Sequence, residues 1–380
     1  MARKTSVSKC WVPVVVAAAT SGLVGAPPAA AGPAAATVGA TPSAALIVGG
    51  TSFPTLEQSF MEQLWPTWST SLGLANATVP DLINVAYPAQ LYPFTDGEFL
   101  GPSVAAGVNN LLGLVNTTYT AGAHLIVWGI SQGALVLDSA QRMLAGNPAA
   151  PPPGSLTFVR VADPAASITG MLNFLPDLIM SKFLHLEDAV RTPVDSQYNT
   201  IVVTNEYDAF ADFPNRPWNL LAVANAIVGL WYRHAQTGAA DLTAVPAQNI
   251  STTVNSQGAS TTTYLVPSPL LPLTQPLRDA GVAAGVVDKL DAALRPIVDA
   301  GYTRNEAAVT PADTAPAAPT AVAAAHPSPE EITDRIARPT TPPRRQAIRA
   351  AVDAKAPPAA AAAGTRSSDG HGSRSQRRDR

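Results

Sequence analysis

Gly129-Ile130-Ser131-Gln132-Gly133 is the stretch of this chain best suited to chemistry. Gly-x-Ser-x-Gly sets a hydroxyl on a sharp strand-to-helix turn, where side chains flanking the serine would collide with the neighbouring strand and helix. The apolar run His124-Leu125-Ile126-Val127-Trp128 before it reads as a strand, and residues 134–144 after it read as a helix. That context separates a nucleophile from a Gly-rich turn whose serine merely caps a helix. The backbone N–H of Gln132 then points to where an oxyanion forms, near the positive end of the helix.

A serine hydroxyl needs a base. The chain has five histidines: His124, His185, His234, His326 and His371. His326 and His371 fall in a low-complexity tail, and His124 begins the strand that ends at Ser131, so it belongs at the opposite edge of the sheet. His234 and His185 remain. His234 is preferred because the acid and then the histidine follow the serine in this fold. For the acid, Asp208 follows the strand Thr200-Ile201-Val202-Val203-Thr204 by a short reach, and Asp212 in Ala211-Asp212-Phe213-Pro214 is the alternative. Asp163, in Ala162-Asp163-Pro164, ends a strand too early and reads as structural or pocket-lining. A second oxyanion donor is expected from the loop after the first strand, Gly49-Gly50-Thr51, through the N–H of Thr51.

These groups need a scaffold. Ala45-Leu46-Ile47-Val48, Asp81-Leu82-Ile83-Asn84-Val85, the run ending at Trp128, Leu156-Thr157-Phe158-Val159-Arg160-Val161 and the 200–204 run read as strands. Helical patterns lie at 55–64, 103–114, 134–144 and 220–231. The alternation predicts an α/β fold with a mainly parallel sheet flanked by helices. Functional groups then gather beyond the carboxyl ends of the strands. The globular region is expected at 44–302, about 260 residues, enough for one well-buried core.

The two ends differ in kind. Arg3, Lys4 and Lys9 precede an apolar stretch over 10–26, followed by small residues, so residues 1–36 read as an export signal, with an N-terminal anchor as the alternative. From 303 to 380 the chain is Ala, Pro, Thr and Arg, which cannot bury enough apolar surface to order itself. Its basic end, with Arg374, Arg377, Arg378 and Arg380, could touch anionic lipid or wall polymer. Only 13% of the 380 residues are charged, 36 are Pro and one is Cys. A single Cys10 rules out a disulfide scaffold and a Cys-ligated zinc site. A net charge of −3 gives no overall basic field for nucleic acid.

From Leu46 to at least His234 the chain resembles the PE-PPE domain, a mycobacterial serine α/β-hydrolase domain related to the cutinases. The resemblance is carried by Leu46-Ile47-Val48-Gly49-Gly50-Thr51, by Gly129-Ile130-Ser131-Gln132-Gly133-Ala134, and most specifically by Tyr207-Asp208-Ala209-Phe210-Ala211-Asp212-Phe213-Pro214. Arg216-Pro217-Trp218-Asn219-Leu220-Leu221-Ala222, Asn225-Ala226 and Tyr232-Arg233-His234 continue it. It implies a cutinase-like α/β-hydrolase fold, a Ser-Asp-His triad, esterase activity on acyl esters, and no metal or cofactor. It does not choose between Asp208 and Asp212. Some members are similar to acyltransferases that build glycolipids on sugars such as trehalose. This chain departs from the usual architecture: a signal-like segment stands where a PE or PPE module would be. Asp163-Pro164-Ala165-Ala166 also departs from the Asn-Pro and Gly-rich continuation of many relatives, so that pocket wall is expected to differ.

The expectation is therefore an exported serine esterase: Ser131 nucleophile, His234 base, Asp208 acid, Gln132 and Thr51 at the oxyanion. Its partners are acyl-ester or lipid substrates, with peripheral envelope or membrane association. An acyltransferase using a trehalose or glycolipid acceptor is the alternative, and a non-catalytic envelope-binding protein the third. Residues 171–186 and 264–273 are candidates for a lid or acyl groove, or else for ordinary packing segments.

Overall fold

The computed structural model describes residues 41–305, apart from 75–79 and 167–168. The expected export signal at 1–36, the basic end of the tail, His326 and His371 lie outside the described residues. Seven strands form one sheet: β1 (Ala44–Val48), β2 (Asp81–Asn84), β3 (Leu125–Ile130), β4 (Leu156–Val161), β5 (Asn199–Asn205), β6 (Ile250–Val254) and β7 (Ser260–Val266). Their order is β2-β1-β3-β4-β5-β7-β6, with every neighbouring pair parallel except β6–β7. The main helices are α1 (Gln58–Ser71), α2 (Leu100–Thr118), α3 (Gln132–Leu144), α4 (Leu220–Gly229) and α5 (Ala284–Asp299). This is the α/β-hydrolase arrangement the sequence predicts, with helices on a mainly parallel sheet.

Successive strand side chains alternate between two cores, as a pleated sheet requires. Leu46, Val48, Leu125 and Val127 pack with Val104, Val108 and Leu111 of α2 and Leu135 and Val136 of α3. Ala45, Ile47, Ile126 and Trp128 pack on the other face with Met61, Trp65 and Trp68 of α1. Burial on both faces explains why the central strands are unbroken apolar runs. A third cluster joins Tyr207, Ala222, Leu271, Val298 and Tyr302 around α4 and α5.

The structure corrects several expectations. β6 and β7 are not among the expected strands: Thr252, Thr253, Thr261, Thr262 and Thr263 look polar, yet β-branching suits them to a pleated strand with one wet face. Tyr264, in β7, and Leu271 are core residues, so 264–273 is packing rather than a lid. In 171–186, Leu172, Met180 and Leu186 are core while Leu178 and Phe183 face solvent. α5 was not foreseen, and α1 runs on through Pro66 to Ser71. A short 3-10 turn, Thr303–Asn305, follows the expected boundary at 302.

Register fixes where chemistry can occur. Val48 pairs with Gly129, and Gly129 with Arg160, so the loops after β1, β3 and β4 leave the sheet side by side. Asn205 ends β5 on the same edge, which brings the 206–212 loop alongside.

Removing the fully buried Leu111 side chain by Leu111→Ala is expected to cost about 2–5 kcal/mol. Urea denaturation should show a lower midpoint at unchanged slope. An unchanged midpoint would mean that α2 does not pack on the sheet.

Candidate active site

Ser131 sits on the turn between β3 and α3 at φ 57° and ψ −117°, a region that non-glycine residues avoid. Its neighbours make this possible. A Cβ at Gly133 would lie 2.5 Å from the Val48 carbonyl oxygen and 2.7 Å from that of Gly49. A Cβ at Gly129 would lie 2.7 Å from the Gly133 carbonyl oxygen. The turn is held at its base by the Ser131 N–H, which donates to the Val161 carbonyl at 2.9 Å.

Three distant residues meet here. His234 Nδ1 lies 2.7 Å from Asp208 Oδ2, and its Nε2 lies 2.8 Å from Ser131 Oγ. The Asp208 carboxylate only accepts, so Nδ1 carries the proton and Nε2 is left to accept from the serine hydroxyl. Asp208 is fully buried and the His234 side chain is 14% exposed. Asp208 Oδ1 also accepts the Phe210 N–H at 3.0 Å, which fixes the carboxylate plane. The Phe210 ring packs edge-on against the imidazole, with centroids 4.8 Å apart.

His234 ends a π-helical turn, Leu230–His234, that continues α4. Asn219 caps α4 by accepting the Ala222 N–H at 3.1 Å. Asn205, at the end of β5, donates to the Arg233 carbonyl at 2.8 Å and to Thr237 Oγ1 at 3.0 Å, tying the turn that carries His234 to the strand that leads to Asp208. Trp68 of α1 secures the far side through Nε1 to the Gly238 carbonyl at 2.7 Å.

The Gly49-Gly50-Thr51 loop packs directly on the turn: a Cβ at Gly50 would touch Ser131 Cβ at 3.3 Å. Gln132 is the first residue of α3, so its N–H has no intrahelical acceptor. Gln132 is 2% exposed, and its side chain joins three segments. Its Oε1 accepts from Thr51 Oγ1 at 3.0 Å, and its Nε2 donates to the Gln90 carbonyl at 3.0 Å and to Ser103 Oγ at 2.9 Å. Ser103 Oγ in turn accepts the Gln90 N–H at 2.9 Å. Thr51 and Gln132 are thus locked together, next to Ser131 in the Gly49-Gly50-Thr51 loop and at the start of α3.

The other candidates lie elsewhere. Asp212 does not touch His234: its Oδ2 accepts the Tyr207 N–H at 2.7 Å and its Oδ1 pairs with Arg304 Nη1 at 2.7 Å. Burial pushes the Asp212 carboxyl up to about 6, with the Arg304 charge opposing the shift. His185 adopts φ 54° and stacks on Phe99, centroids 4.4 Å apart. His124 lies at the start of β3, with Nε2 3.0 Å from Thr157 Oγ1. Asp163 is structural: it accepts the Ala165 N–H at 2.9 Å and lies 3.3 Å from Arg160 Nη1, and burial raises its pKa while Arg160 lowers it. Among the described residues, no group of three or more His, Cys, Asp or Glu is placed to hold a metal ion.

Ser103 and Gln90 carry no signal in the sequence, and Asn205 is marked there only by its place at the end of a strand. Their side-chain roles depend on loop geometry that no local motif encodes.

Comparison with known proteins places this geometry in context. The PE-PPE domain model matches residues 80–303. The SL1278 acyltransferase Chp1 of Mycobacterium tuberculosis is 42% identical over 234 residues, 60% of this chain and 56% of that protein. The diacyltrehalose acyltransferase Chp2 of the same organism is 42% identical over 227 residues, 58% of this chain and 62% of that protein. Its esterase PE16 is 35% identical over 271 residues, 70% of this chain and 50% of that protein. The match therefore spans half to three fifths of the length of these relatives.

Asp208→Asn should lower kcat for a p-nitrophenyl ester by about 10³–10⁴-fold, because the imidazole loses the partner that sets its tautomer. Asp212→Asn leaves that partner in place and should cost less than about 100-fold. The reverse order would move the acid role to Asp212.

Proposed function

The chain belongs to the PE-PPE domain family, and from that premise we propose that it is a serine esterase acting on acyl-ester lipids through an acyl-enzyme on Ser131. The observation that carries this reading is the unbroken relay from Ser131 Oγ to His234 Nε2 at 2.8 Å and from His234 Nδ1 to Asp208 Oδ2 at 2.7 Å. Ser131 Oγ attacks the ester carbonyl carbon as His234 Nε2 takes the hydroxyl proton. The oxyanion accepts from the N–H groups of Gln132 and Thr51. The imidazolium gives its proton to the leaving alcohol oxygen as the C–O bond breaks, and the acyl group stays on Oγ. Water then gives a proton to His234, attacks the acyl carbonyl and releases the acid, while Ser131 recovers its proton. Asp208 holds the ring and balances the imidazolium charge throughout. Ser131 and His234 are both partly exposed, so water reaches the acyl-enzyme.

A second reading replaces water with a sugar hydroxyl. It is supported by the two relatives named as acyltransferases, at 42% identity against 35% for the esterase. One of them is named for diacyltrehalose, so trehalose or a trehalose glycolipid is the acceptor to test. Export is part of the same proposal and rests on the sequence of residues 1–36. The enzyme would then meet its lipids in the cell envelope.

Ester hydrolysis across a p-nitrophenyl chain-length series, with and without trehalose, tests both readings. Ser131→Ala should lose about 10⁶-fold in kcat. Retained activity in that variant would remove the acyl-serine mechanism. Acylated sugar among the wild-type products would make the enzyme a transferase, and free acid alone a hydrolase.

A further inference from the structure

The loop that carries Asp208 is not held by the sheet alone. Tyr207 adopts φ 64°, a left-handed conformation costly for a tyrosine. The Asp212 carboxylate holds it by accepting the Tyr207 N–H at 2.7 Å, while the Asp212 N–H donates to the Asp208 carbonyl at 2.6 Å. Asp212 therefore grips the chain on both sides of Asp208. Its own side chain is 1% exposed, and a buried carboxylate needs a counter-charge.

That charge comes from the end of the domain. Arg304 Nη1 lies 2.7 Å from Asp212 Oδ1, and Arg304 Nε lies 4.0 Å from Glu206 Oε1. The guanidinium rests over the Tyr302 ring, 3.8 Å from its centroid, and 5.4 Å from that of Tyr207. Tyr302 is fully buried against Tyr207, centroids 5.5 Å apart. Tyr207 is also tied to α5, since its hydroxyl donates to Asp299 Oδ1 at 2.6 Å. Arg304 is thus the last described ionic contact of the chain, and it closes a path Arg304–Asp212–Tyr207/Asp208–His234.

We propose that Arg304 is a positioning residue for the catalytic acid: through Asp212 it fixes the loop that aims Asp208 at His234. The inference rests on Asp208 being the acid of the proposed triad. Turnover then depends on the chain continuing through residue 304, and a form ending at Tyr302 would keep the strands but misplace the acid.

The test uses the full chain and four variants: Arg304→Met, Arg304→Lys, Asp212→Asn/Arg304→Met and Ser131→Ala. For each, kcat and KM are measured for a p-nitrophenyl ester well below the melting temperature. In the variants that keep Ser131, the fraction of sites that react with a fluorophosphonate at saturation serves as the measure of folded enzyme. Arg304→Met should lose about 10–100-fold in kcat per reactive site, with KM little changed. Arg304→Lys should recover part of it. The double variant should recover more than Arg304→Met, because asparagine still accepts the Tyr207 N–H and needs no counter-charge. Wild-type kcat per reactive site in Arg304→Met overturns the proposal. So does a loss that follows only the fall in reactive fraction, or a double variant no better than the single. Activity surviving in Ser131→Ala would instead show that the triad reading itself has failed.

Discussion

The turn at Ser131 is the constraint around which this molecule is organised. Holding a serine at φ 57° and ψ −117° costs on the order of 1–3 kcal/mol, and only close packing on every side sustains it. Gly133 lets α3 press against the β1 carbonyls, and Gly129 lets β3 approach α3. The parallel register of β1, β3 and β4 holds the elbow from below. What results is a hydroxyl lifted off the end of the sheet beside a helix N-terminus, where developing negative charge is favoured.

Two separate systems serve that hydroxyl. On one side, Gln132 ties the β1 loop, the segment at Gln90 and α2 through Thr51, Gln90 and Ser103. In the proposed mechanism this network fixes the two segments whose backbone N–H groups would receive the oxyanion, so little reorganisation is needed as it forms. On the other side, Asn205 links the strand that delivers Asp208 to the turn that delivers His234. Asp208 and His234 are then positioned relative to each other as well as to Ser131. Asp212 and Arg304 extend this second system to the end of the domain.

Much of this was legible in the sequence because the central strands bury both faces. Apolar runs such as Leu156-Thr157-Phe158-Val159-Arg160-Val161 announce themselves, and β4 falls where that run does. Ser131 and His234 stood out as candidates because their order and their places after strands follow from the fold. The sheet edge was not legible: Ile250–Val254 is exposed over most of its length and carries no hydrophobic pattern. Asp208 and Asp212 could not be separated either, since both follow β5 in one short loop. What distinguishes them is which carboxylate the His234 ring reaches, a matter of loop conformation that includes Tyr207 at φ 64°. Arg304 looked like the start of a polar tail because its partners lie about ninety residues away in sequence.

The most direct test is to trap the acyl-enzyme. The full chain would be mixed with a p-nitrophenyl ester, quenched in acid during turnover, digested and analysed by mass spectrometry. The account predicts one acyl group on the peptide containing Ser131, localised to that residue by fragmentation. Sustained turnover with that peptide unmodified, or an acyl group on another residue, would contradict it.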